Sequence, residues 1–73
     1  MSDPVRQIQV RGDYITLGQL LKLTGEVGGG GDVKDYLATH SPLVNGENEN
    51  RRGRKLRPGD RVVLPNVGEI ALT

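Results

Sequence analysis

Six of the ten basic residues in this 73-residue chain, Arg51, Arg52, Arg54, Lys55, Arg57 and Arg61, fall within eleven consecutive positions, opposed there only by Asp60. The chemistry such a run offers is the capture of phosphates. Arginine presents a planar fork of donors that can grip one phosphate or a guanine edge with two bonds, whereas lysine acts as a point charge. Arg51, Arg52, Arg54 and Arg57 around the single Lys55 therefore favour geometric reading of a folded backbone over simple attraction. The formal net charge is only +1, because acids elsewhere cancel the run. Charge that is balanced overall but segregated locally marks a polyanion-binding surface on an otherwise neutral domain. The alternative is a solvated loop that keeps the chain soluble. If the run binds a polyanion, replacing Arg51, Arg52 and Arg54 together by alanine is expected to abolish that association and leave the fold intact, since exposed loop changes cost little stability.

Other residues are weaker candidates. Gly28 to Gly31 form a glycine run ahead of Asp32, and free N–H groups at Gly30 and Gly31 could hold a phosphate at a helix start. Asp32 and Asp35 oppose this with negative charge in the same turn, and no Gly-Lys-Ser/Thr ending suggests a nucleotide loop. Lys34 is the better candidate there for a direct contact. Gly53 either lets the chain approach a ligand closely or adopts a positive φ. Glu47 and Glu49 alternate beside the cations, where they restrain non-specific binding or pair with them. Tyr14 and Tyr36 are the only aromatic rings beside His40, which leaves no stacking platforms of the kind that single-strand binders use, so recognition of shape and phosphate is expected. Tyr36 sits on an apolar helical face and reads as core, whereas Tyr14 can pack or stack. His40 is a lone histidine near a helix end, with neither a second metal ligand nor a nucleophile beside it, and reads as structural. The acids form no acid/base or metal constellation, and so small a fold encloses little pocket. No catalytic residue, metal, cofactor or small-molecule substrate is expected, and the chain reads as a non-enzyme.

The elements that must position these residues are short. Arg6 to Val10 alternates polar and apolar side chains as an edge strand does, and Arg11-Gly12-Asp13 breaks it. Thr16-Leu17-Gly18-Gln19 has the form of a capping box, so a first helix is expected from about Leu17 to Thr24, with Gly25 as its stop. Asp32 caps a second helix with Val33, Tyr36 and Leu37 on one face, ended by Ser41-Pro42. Asn45-Gly46 after Leu43-Val44 signals a two-residue type I′ hairpin turn. Pro58-Gly59 marks another turn, and Arg61 to Leu64 and Glu69 to Leu72 read as strands around a turn at Asn66 to Gly68. The expected fold class is α+β, two short helices packed on a small antiparallel sheet, forming one domain over residues 1–73.

This order of elements, with Val44-Asn45-Gly46 and then Pro58-Gly59-Asp60 before an apolar strand, resembles the S4 RNA-binding domain, or αL motif, from Thr16 to Leu64. The wording Ile15-Thr16-Leu17-Gly18-Gln19 and Arg51-Arg52-Gly53-Arg54-Lys55-Leu56 is most similar to the small stand-alone bacterial S4-like proteins. The resemblance implies non-catalytic binding of structured RNA, typically ribosomal, through the helices and the loop after the Val-Asn-Gly turn. Many S4 domains carry an arginine and an aspartate where this chain has Thr16 and Gly18, and Ser-Arg-Ser where it has Gly29, Gly30 and Gly31. The cations from Arg51 to Arg57 would then move the electrostatic centre of the site to the neighbouring loop. The implied contact set is Lys34, Arg51, Arg52, Arg54, Lys55, Arg57, Gly30 and Gly31, and the implied role is a ribosome assembly or accessory factor.

Composition bounds the rest. A domain this size buries only about 60% of its unfolded surface, so its stability margin is thin. The absence of cysteine excludes disulfides and thiolate metal sites and suits a reducing cytoplasm. No window approaches a membrane span, and Met1 to Arg6 has no export-signal character. A cytoplasmic monomer is expected. A different class also fits: a protein-interaction module docking the sheet edge or basic loop on an acidic partner in translation or replication. Its complexes would weaken with salt and survive RNase. DNA is a third ligand, because phosphate contacts alone do not separate the two polymers.

Overall fold

The computed structural model describes residues 5–28, 32–65 and 67–73. In chain order the elements are β1 (Arg6–Ile8), β2 (Ile15–Thr16), α1 (Leu17–Leu23), α2 (Val33–Thr39), β3 (Leu43–Val44), β4 (Glu47–Asn48), β5 (Lys55–Leu56), β6 (Arg61–Leu64) and β7 (Gly68–Leu72). Five strands form one sheet in the order β1-β7-β6-β3-β4, and β2 pairs with β5 in a separate ribbon. This is an α+β arrangement, with two differences from the expected small antiparallel sheet. The edge strand β1 is shorter than expected and runs parallel to β7, with Arg6 opposite Ile70 and Ile8 opposite Leu72, which makes the sheet mixed. The β2·β5 ribbon, Ile15 opposite Leu56 and Thr16 opposite Lys55, was not expected at all.

Both helix ends of α1 follow from local chemistry. Gln19 N–H donates to Thr16 Oγ1 at 3.2 Å while Thr16 N–H donates to Gln19 Oε1 at 2.8 Å, the reciprocal capping box. At the other end Gly25, at φ +81°, reverses the chain, with Gly25 N–H donating to the Lys22 carbonyl and Glu26 N–H to that of Leu21. Thr24 is thus the cap, and the helix ends one residue earlier than expected. Asp32 Oδ1 caps α2 by accepting from the N–H groups of Lys34 and Asp35.

One core joins the layers. Leu17, Leu20 and Leu21 of α1 and Val33, Tyr36 and Leu37 of α2 pack in a single cluster with Val44, Leu56, Val62, Leu64, Ile70 and Leu72. Tyr36 is core, as its spacing indicates. Its ring stacks on His40 at 4.3 Å between centroids, and its hydroxyl is buried without a hydrogen-bond partner among the described residues. Burial, and then the Glu26 carboxylate, push the phenol above its ordinary pKa. Because a buried hydroxyl without a partner costs free energy, Tyr36→Phe should leave stability unchanged or raise it by up to about 1 kcal/mol in urea unfolding. A clear loss would show that the hydroxyl has a partner.

The two signature turns hold each other. Asn45 (φ 52°) and Gly46 (φ 86°) both take the positive φ of the expected hairpin turn. The Asn45 amide then reaches across the fold: Nδ2 donates to Asp60 Oδ1 at 3.2 Å, and Oδ1 accepts from Arg61 N–H at 2.9 Å. Asp60 Oδ2 in turn accepts from Arg57 N–H at 2.8 Å, closing the Pro58-Gly59 turn. Asn45→Ala should cost about 2 kcal/mol, from a left-handed conformation forced on alanine and two lost hydrogen bonds. Asn45→Gly should cost about half that, since glycine keeps the backbone at ease. Equal losses in urea titrations of the two variants would remove φ from the explanation.

Candidate nucleic-acid interface

The basic segment is folded onto the start of α1 by backbone bonds. The first free donors of the helix, Leu17 N–H and Gly18 N–H, donate to the carbonyls of Arg54 and Arg52, each at 2.9 Å. With Gln19 N–H on Thr16, the helix start is satisfied from within the chain. Gly18 lies at the closest approach: a Cβ there would sit 3.4 Å from the Arg52 carbonyl and 3.5 Å from Val33 Cγ1. These are ordinary contact distances, so the loop backbone lies directly against the start of the helix. Arg54 N–H donates to the Arg51 carbonyl at 3.2 Å, so Arg52 and Gly53 form the tip of a turn. Gly53 does not adopt a positive φ, and a Cβ on it would meet nothing within 4 Å.

Glu49 braces this turn from below. It is 7% exposed and is the one buried charged residue among those described. Arg51 donates to its carboxylate from the backbone N–H (3.1 Å), Nε (3.0 Å) and Nη2 (3.1 Å), and Arg54 from Nη1 (3.0 Å). The Arg51 guanidinium, against the opposing effect of burial and with help from the Arg51 N–H and Arg54, lowers the Glu49 pKa to about 2. Of the two readings of the acids beside the cations, pairing is the one realised at Glu49, whereas Glu47 is exposed. Truncating Arg51 and Arg54 therefore cannot be treated as a harmless loop change.

Two shallow depressions adjoin at Gly53. One, of about 520 Å³, lies between the helices and is lined by Thr16, Gly18, Gln19, Lys22, Asp32, Val33, Arg52 and Gly53. The other, about 630 Å³, is lined by Arg51, Gly53, Arg54, Lys55, Arg57 and Asp60. Arg51, Arg52, Arg54, Lys55 and Arg57 are thus brought together, and Lys22, which the reading of the sequence passed over, joins them. Its signal was its spacing, three and four residues after Gln19 and Gly18 on α1. Lys34 is exposed in the first turn of α2 and lines neither depression. Gly30 and Gly31 lie outside the described residues. Arg61 is set apart, paired with Glu69 at 2.6 Å on the exposed face of the β6-β7 hairpin. His40 Nδ1 lies 3.2 Å from the Tyr36 carbonyl and 2.9 Å from Thr39 Oγ1, a structural setting. No group of three or more metal-ligating side chains gathers among the described residues, and no helix among them is long and apolar enough to cross a membrane.

Residues 8–72 match the family described as S4 domain. The chain belongs to that family. It is also 48% identical over 63 residues to a probable ribosome maturation protein, RlbA, of Bacillus subtilis (strain 168), a match covering 86% of this chain and 89% of the relative. No solved structure matches the chain.

Proposed function

We propose that this chain is a non-catalytic binder of structured ribosomal RNA that acts in ribosome assembly, as a single domain over residues 1–73 and as a monomer. The contact surface is Lys22, Arg51, Arg52, Arg54, Lys55 and Arg57, flanked by Lys34. The observation that carries this is the docking of the basic turn: its carbonyls are tied to α1 and two of its arginines to Glu49, so the backbone that carries the cations is held in place before any ligand arrives. Pre-ordering of this kind lowers the entropy cost of gripping a folded phosphate backbone. The membership of the S4 family and the likeness to a ribosome maturation protein support the same reading. The shallow, open depressions suit a polymer backbone better than an enclosed small-molecule substrate.

Sedimentation of tagged protein from bacterial lysate through a sucrose gradient, with and without RNase, followed by RNA cross-linking, tests this. Co-migration with a ribosomal subunit or its precursor, lost when Arg52, Lys55 and Arg57 are replaced, is the expected result. An RNase-resistant complex free of RNA cross-links, or free protein alone, would move the function to the protein-interaction class.

A further inference from the structure

The β2·β5 ribbon has two unlike faces. Ile15 and Leu56 oppose each other and are 9% and 0% exposed, buried in the core. Thr16 and Lys55, the neighbouring pair, therefore point outward, since side chains alternate along a strand. Tyr14 immediately precedes β2 and Arg57 immediately follows β5, so both lie at the same end of the antiparallel ribbon. Tyr14 is 41% exposed, the more accessible of the two tyrosines, and the Lys55 ammonium lies 5.1 Å from its ring centroid. Lys55 and Arg57 both line the larger basic depression. An exposed aromatic ring thus stands beside Lys55 at the end of a ribbon whose inner face is anchored in the core, and Arg57 follows that ribbon two residues after Lys55.

We propose that Tyr14 is a stacking subsite for one unpaired nucleotide of the bound RNA, with Lys55 and Arg57 holding the phosphates on either side of it. The proposal rests on the RNA-binding reading above and adds a preference: RNA with an extruded or looped base is bound more tightly than a continuous duplex. A base has a π-face whatever its identity, so the subsite recognises that a nucleotide is unpaired, without reading which base it is. A duplex offers only phosphates to the cations and leaves the ring unused.

The test uses the full chain, a hairpin RNA with a bulged nucleotide and an unpaired apical loop, and a fully paired RNA duplex of matching length. Tyr14→Ala should weaken binding to the hairpin about tenfold or more and to the duplex less than about twofold. Tyr14→Phe and Tyr14→Trp should retain the preference, whereas Tyr14→Leu, which restores apolar bulk without a ring, should not. In a Tyr36→Phe background Tyr14 is the sole tyrosine, and its fluorescence should be quenched by the hairpin and not by the duplex. Equal losses on both RNAs, or full rescue by leucine, would overturn the stacking subsite while leaving the basic surface intact. Failure of the wild-type chain to bind either RNA would overturn both readings.

Discussion

Replacing Arg52, Lys55 and Arg57 together by alanine is expected to lower affinity for structured RNA roughly a hundredfold near physiological salt, at about 1 kcal/mol for each exposed contact. These three guanidinium and ammonium groups make no ion pair among the described residues, so their loss should leave the unfolding midpoint close to that of the parent chain. Each lost phosphate contact should also flatten the dependence of log K on log salt by about 0.9 on duplex RNA or DNA, for a total near 2.7. The variant is more informative than one built on Arg51, Arg52 and Arg54, because there a loss of binding would be mixed with a loss of the buried brace. Filter binding across a salt series, paired with urea unfolding, checks both halves. A binding loss without a change in slope would show that these residues act on the fold and do not contact phosphate.

Removing Arg51 and Arg54 instead should cost stability. Without them the Glu49 carboxylate loses three side-chain hydrogen bonds and the cover that the two arginines give it. In a domain with a thin margin such a loss should be visible as a lower unfolding midpoint. The same interaction fixes the direction of the pH dependence. Glu49 has a folded-state pKa of about 2 against an ordinary 4.5. Its contribution is therefore fully present above the ordinary value and disappears as the pH falls from about 4.5 to about 2. Glu49→Gln should remove that component of the acid loss, and should also recover part of the stability lost in the Arg51→Ala, Arg54→Ala double variant. Acid unfolding followed by circular dichroism decides this. If the double variant unfolds like the parent at neutral pH, Glu49 is not sustained by these arginines.

Local chemistry was legible in the sequence wherever neighbours a few residues apart determine the structure. The capping box at Thr16 and Gln19, the stop at Gly25, the cap at Asp32 and the Asn45-Gly46 turn all appear as read. What escaped were pairings between distant segments. Two-residue strands such as Ile15–Thr16 and Lys55–Leu56 carry no period to detect, and β1 lies beside β7 only because the last strand returns there. The basic cluster announced itself by composition, but its shape did not. Arg52 and Arg54 are placed by carbonyls that cap a helix more than thirty residues earlier in the chain. Glu49 looked like part of a polar loop because its burial depends on arginines two and five residues further on. Asn45 was readable as a turn residue, yet its amide contacts to Asp60 and Arg61 were not.

The parallel pairing of β1 with β7 has a consequence for how the protein is made. Val10 N–H donates to the Thr73 carbonyl, and Thr73 N–H to that of Ile8, so the first strand finds its partner only after residues 68–73 have been synthesised. The five-stranded sheet therefore cannot close until residues 68–73 have cleared the exit tunnel. Contacts of such long sequence separation form late and slowly. A protein proposed to serve the making of ribosomes would therefore close its own sheet only after residues 68–73 have left one.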